Sequence, residues 1–222
     1  KLLIASTKTD EFGNFEVELD EKYSKTAFDI DFVCGTVPRV PPKPRKEPLQ
    51  FHLTTIYPQW RNTTGNENVF YSWAYCLSAK WWCYIRGHYF DAWVICGHMY
   101  VCGTKTPIPG VKVTALDADF LTDDNLGSAV TDANGHFRID YTSVQFKQTF
   151  LSPWINVETD PGPGLTFQSG PDVYFKYEYN GAAIQGETAA NRRKNVGYCL
   201  CVELCLKDII VIPPGIPASF TK

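Results

Sequence analysis

The chain has 222 residues, 44% of them hydrophobic and 20% charged, with a net charge of −3. That length admits one large domain or two of ordinary size, and that balance excludes a disordered chain. The charge excludes a nucleic-acid footprint, and no apolar run reaches the roughly 18 residues of a membrane helix.

Aromatic residues make up 14% of the chain, beside 15 Pro, 16 Gly and a single Met, a balance that suits an all-β protein with many turns. The opening Lys1-Leu2-Leu3-Ile4 is too short an apolar run for a signal peptide, so the expectation is a processed or partial product. Phe15, Val17 and Leu19 alternate with Glu16, Glu18 and Asp20, which predicts a strand over 14–19. A second strand is expected over 27–33, with Phe28, Ile30 and Phe32 on one face and Asp29 and Asp31 on the other. Residues 38–48 are proline-rich and basic, hence an extended loop; a Pro-rich peptide ligand is the alternative. Residues 51–56 read as a strand and 62–68 as a polar loop carrying the glycosylation sequon Asn62-Thr63-Thr64.

Residues 69–85 carry the densest aromatic cluster, including Trp73, Trp81 and Trp82. Two readings stand: an aromatic surface stacking on carbohydrate, or rings buried in the core and at the joint between two domains. Residues 87–91 read as a linker and 92–102 as a strand. Val111, Val113 and Ala115 alternate with Lys112 and Thr114, so they line the inward face of a half-buried strand. Asp132-Ala133-Asn134-Gly135 is a hairpin turn, after which Phe137 and Ile139 point inward and His136, Arg138 and Asp140 outward. Further strands are expected at 154–158, 172–179 and 198–211, a turn at 160–164, one short helix at 185–194 and a tail at 213–222.

The stretch 106–141 resembles the transthyretin-like, or carboxypeptidase regulatory-like, domain family. The resemblance rests on Pro107, Pro109, Gly110, Val111 and Val113, then Asp117 and Asp119, then Thr131, Asp132, Gly135 and Phe137. It implies an Ig-like, prealbumin-like β-sandwich of the kind that serves as a structural or binding module.

Thr9, Asp10, Gly13 and Phe15 repeat Thr131, Asp132, Gly135 and Phe137 at a fixed offset, and later matches keep nearly the same register. The repeat predicts two tandem β-sandwiches, the first (1–86) lacking its opening strands and the second (87–212) complete, followed by the tail. The missing strands are expected from upstream residues of a longer chain or from a neighbouring subunit by strand donation. Protein partners are therefore expected, either copies of this chain or upstream domains of it.

Three groups of residues carry candidate chemistry. Asp117, Asp119, Asp123 and Asp124 crowd one loop with hard oxygen donors that suit calcium; a solvated acidic turn is the plainer alternative. Cys199, Cys201 and Cys205 share one strand face, as do Cys96, His98 and Cys102 on another strand. If those strands are neighbours, the patch suits cross-strand disulfides, buried thiols or zinc. Catalysis finds no motif: there is no Gly-x-Ser-x-Gly, His-Glu-x-x-His or phosphate-binding glycine loop. The expectation is a non-enzymatic structural or adhesive module at the cell surface or outside the cell. The alternatives are a calcium- or carbohydrate-binding module and an accessory domain of a secreted enzyme.

Overall fold

The computed structural model describes residues 2–38, 45–62, 69–119, 122–146 and 170–207. The strands expected at 154–158 and beyond 207, the turn at 160–164, the tail, both threonines of the sequon and most of the proline-rich loop lie outside those residues. The chain divides into two compact units, Lys1–Gly35 with Lys46–Cys76, and Thr36–Arg45 with Leu77–Lys222. Residues 77–86, expected to close the first domain, group with the second unit.

The first unit is built from two-stranded ribbons. β1 (Phe28–Cys34) and β2 (Leu49–Ile56) pair antiparallel, with an irregularity at Ile30/Asp31. Short strands β3 (Arg61–Asn62) and β4 (Val69–Phe70) form the other ribbon. Cross-strand polar pairs hold the first ribbon: Thr55 Oγ1 donates to Asp29 Oδ1 at 2.6 Å, and Gln50 Nε2 to Asp31 Oδ2 at 2.6 Å. Phe28 and Cys34 are the buried apolar residues among those described in this unit.

Residues 14–19 are not a strand, despite their alternation. Period-2 patterning yields a strand only where a partner strand and a core exist to receive it. The repeated turn does form in both places. Asp10 Oδ1 accepts from the backbone N–H of Phe12 and Asn14, just as Asp132 Oδ1 accepts from Asn134 and His136. Gly13 and Gly135 both take positive φ, at 83° and 75°, a conformation that favours glycine.

The second unit is two sheets around one core. One sheet has the order β10-β9-β6-β7: β6 (Val111–Asp117), β7 (Asp124–Val130), β9 (Val173–Tyr179) and β10 (Ala182–Ile184). The other has the order β11-β5-β8: β5 (Trp93–Val101), β8 (His136–Tyr141) and β11 (Cys199–Leu206). β5 is central, antiparallel to β8 and parallel to β11. Ile95 and Met99 from β5, Val111, Val113 and Ala115 from β6, Phe137 and Ile139 from β8, and Val173 and Phe175 from β9 fill the space between the sheets. The alternation read in β6 and β8 thus places the expected side chains inward. This is an all-β fold.

One helix was not expected. α1 (Ala79–Tyr84) is capped by Ser78, whose side chain accepts from Trp81 N, and it continues into a π turn over Ile85–Tyr89. Serine at the N-cap is the local signal for it. The helix expected at 185–194 is reduced to a 3₁₀ turn at Ala189–Asn191.

The Pro-x-Pro-Gly bend is tied down by Thr131. Its hydroxyl donates to Ile108 O at 2.7 Å and accepts from Val111 N at 2.9 Å, and the residue is buried. The bend and the following hairpin, far apart in sequence, are one hydrogen-bonded unit.

Candidate functional site

The first candidate is the acidic end of the β6/β7/β9 sheet. Asp117 closes β6 and faces Asp124 across the ladder, while β9 brings Asp172 beside them. Asp172 N donates to Asp117 Oδ1 at 2.6 Å, and Tyr174 Oη donates to Asp123 Oδ2 at 2.5 Å. Asp172 is itself neutralised: Arg192 Nε reaches its Oδ2 and Asn195 N its Oδ1, both at 2.8 Å. Asp172 was not singled out from sequence, because nothing local links it to the loop 55 residues earlier.

Crowding and burial change the chemistry of these acids. Asp117, only 5% exposed, is pushed up to about 7, first by burial and then by the charges of Asp119, Asp172 and Asp124, against the pull of its bond from Asp172 N. Asp119 is pushed up to about 6, again by burial first, then by Asp124, Asp123 and Asp172. Burial also raises Asp124. Among the described residues, however, no three His, Cys, Asp or Glu side chains are arranged to hold a metal ion. The four loop aspartates are close enough to repel one another, yet they do not form a calcium cage.

The second candidate is the outward face of the β11-β5-β8 sheet. The period of 2 puts Cys199, Cys201, Glu203 and Cys205 of β11 on that face, with Cys96, His98 and Tyr100 of β5 and His136, Arg138 and Asp140 of β8. The register makes rows of them: Cys201, Cys96 and Arg138 in one, and Glu203, His98 and His136 in the next. The expected adjacency of these two strands is therefore present. Cys102 is bonded to Cys205, and Cys199 to Cys83 from α1. Those bonds consume three of the five patch cysteines, leaving Cys96 and Cys201 with sulfurs 2.9 Å apart. Cys96 is pushed up to about 11, by burial first and then by its contact with Cys201; Arg138 and Arg86 act in the opposite direction.

Charge on this face is paired. His98 Nδ1 lies 3.3 Å from Glu203 Oε1 and His136 Nδ1 lies 3.4 Å from Asp132 Oδ2, with the two rings 3.9 Å apart. Asp140 takes two guanidinium groups: Arg138 through Nε and Nη2, and Arg86 Nη2 at 3.0 Å. Arg86 comes from the π turn and is 4% exposed. Burial alone raises the Asp140 carboxyl, but hydrogen bonds and charge from Arg138 and Arg86 outweigh it and hold the group below its ordinary value.

The aromatic surface expected from Trp73, Trp81 and Trp82 is divided between the units. Trp73 belongs to the first, stacked on Tyr75 with centroids 5.7 Å apart and edge-on to Phe15. Trp81 and Trp82 belong to the second; Trp81 is exposed and meets Tyr84 edge-on. Neither unit by itself presents all three rings as a platform for a sugar.

No family model and no curated protein matches the chain. Among solved structures it is similar to a 9R-lipoxygenase from Cyanothece PCC8801, with 20% identity and a TM-score of 0.32 over 58% of this chain. The chain spans 18% of the length of that lipoxygenase. It is also similar to the dioxygenase domain of a dioxygenase–carbohydrate-binding protein fusion from Streptomyces sp. SirexAA-E, with 14% identity and a TM-score of 0.30, covering 53% of this chain and 80% of that one. Both neighbours are named as oxygenases, which stands against the expectation of a chain that is not an enzyme. At such TM-scores the likeness carries no argument for a particular reaction.

Two disulfides mark an oxidising environment for the fold. No helix among the described residues is long and apolar enough to cross a membrane, which says nothing of β-barrels.

Proposed function

We propose that the chain is a structural or adhesive β module of an extracellular or cell-surface assembly, working through protein–protein contacts. The observation that carries this reading is the uncovered apolar surface of the first unit. Leu2, Leu3, Phe12 and Tyr57 are each more than 70% exposed, and Phe15, Val69, Phe70 and Tyr75 are about half exposed. Two-stranded ribbons are marginal in water without a further surface to pack on. Phe15 and Tyr75 both meet Trp73, so part of this surface is contiguous, and contiguous apolar surface left in solvent marks a contact site for another protein. In this reading the second unit is a transthyretin-like sandwich, and the first is a diverged, partial repeat of it. The shared Asp-x-x-Gly turn supports that relation, and β2, moved along the chain by the offset between Asp10 and Asp132, overlaps β9. A neighbouring copy supplies the strands that would complete the first unit.

Sedimentation velocity over a concentration series tests the reading. Self-association that is weakened by Leu3→Ser with Phe12→Ser supports it. A chain that stays monomeric and is unaffected by both substitutions overturns it.

A further inference from the structure

We propose that Cys96 and Cys201 are a covalent modification site: they close a third disulfide across the outward face of the β11-β5-β8 sheet. Their sulfurs stand 2.9 Å apart, inside the roughly 3.5–4.0 Å at which even unbonded carbon atoms rest. The two residues are register partners on adjacent parallel strands. Neighbouring strands lie about 4.7–4.9 Å apart, within the roughly 4.4–6.8 Å Cα separation that a disulfide spans, so register partners of this kind suit closure. The bonds Cys83–Cys199 and Cys102–Cys205 flank the pair along β11. Both fix the register of β11 on its neighbours, and the conditions that close them act on Cys96 and Cys201 as well.

The side-chain environment sets the order of events. Cys201 is exposed and Cys96 half-buried. A small-molecule disulfide such as oxidised glutathione reaches Cys201 first. The Cys201 thiolate attacks one glutathione sulfur, the glutathione S–S bond breaks, and one glutathione thiolate leaves. Cys96, giving up its thiol proton to solvent, then attacks the Cys201 sulfur that lies 2.9 Å away. The mixed disulfide breaks, the second glutathione thiolate departs, and the Cys96–Cys201 bond forms. Two thiol protons and two electrons pass from the protein to one oxidised glutathione, giving two reduced glutathione molecules.

The test is thiol mapping of the intact chain. The protein is equilibrated with oxidised glutathione, denatured in acid, alkylated with N-ethylmaleimide without reduction, and digested for mass spectrometry. The expected result is that neither Cys96 nor Cys201 is alkylated. In Cys201→Ser the Cys96 thiol becomes alkylated, and in Cys96→Ser the Cys201 sulfur retains glutathione because the second attack is missing. The double variant Cys96→Ser, Cys201→Ser keeps both other disulfides and the circular dichroism of the parent, which separates loss of the bond from loss of the fold. Alkylation of both cysteines in the parent protein overturns the proposal. So does a Cys201 linked to any partner other than Cys96, or a parent in which glutathione stays on Cys201.

Discussion

Arg86 and Asp140 meet at 3.0 Å where the π turn docks on the edge of the β11-β5-β8 sheet, and the guanidinium is almost wholly buried. The same Nη2 also donates to Pro38 O at 2.8 Å, so one side chain joins three segments of the second unit. Arg86 Nε has no hydrogen-bond partner among the described residues. A charge in such a place is retained only because its bonds offset its desolvation.

Replacing Arg86 with Met is expected to cost roughly 2–4 kcal/mol, since Asp140 keeps Arg138 but loses its buried partner. Arg86→Lys should recover only part of this, because the shorter side chain does not carry its ammonium to the place between the two acceptors that Nη2 holds. Urea unfolding of the three proteins checks the order. Equal midpoints for the parent and the Met variant would show that the pair contributes nothing.

Thr131→Val removes a hydroxyl but keeps the shape. Ile108 O and Val111 N lose their shared partner in a buried place, at a cost of about 2–3 kcal/mol. Thr131→Ser should stay close to the parent. The difference in thermal midpoint between the two variants is the measurement, and it isolates the hydrogen bonds from packing.

Asp117 makes stability depend on pH in an unusual direction. Its pKa is raised from the ordinary 3.8 to about 7 in the folded chain, so the folded state holds the proton more tightly than the unfolded state. Its contribution is therefore full below about pH 4 and is lost as pH climbs through about 7. Asp119, raised to about 6, acts in the same direction. Asp117→Asn keeps an acceptor for Asp172 N and cannot ionise. The variant should gain on the parent at pH 8 and lose that advantage at pH 4, as followed by denaturant unfolding at each pH. A constant difference across that range would discard the assignment.

Paired removal of Cys102 and Cys205 as serines opens a covalent loop spanning 103 positions. Loop-closure entropy sets the expected loss at roughly 2–5 kcal/mol. The loss should show in unfolding under non-reducing conditions and vanish when both proteins are reduced.

The sequence pattern announced the second unit far better than the first. In 111–115 and 136–141 the period of 2 coincides with two real sheets and one core, so local pattern and tertiary demand agree. In 14–19 the same alternation had no sheet to join, and only the Asp10 turn, whose hydrogen bonds are internal, survived. A turn held by its own side chain needs only local residues, whereas a strand needs a partner as well as a pattern. The cysteine face was visible as a parity pattern, but the pairing was not, because Cys83 enters from a helix that the aromatic run concealed. Asp172 and Arg86 were invisible for a similar reason: each acts on residues about 50 positions away.

The parallel pairing of β5 with β11 has a consequence for how the chain is made. Cys96 and its cross-strand partner are separated by 105 positions, so the middle strand of this sheet waits on the ribosome with one side unclaimed while that much polypeptide is still being synthesised. Throughout that interval its open edge is a template for the wrong neighbour, a hazard that ends only once residue 206 has emerged.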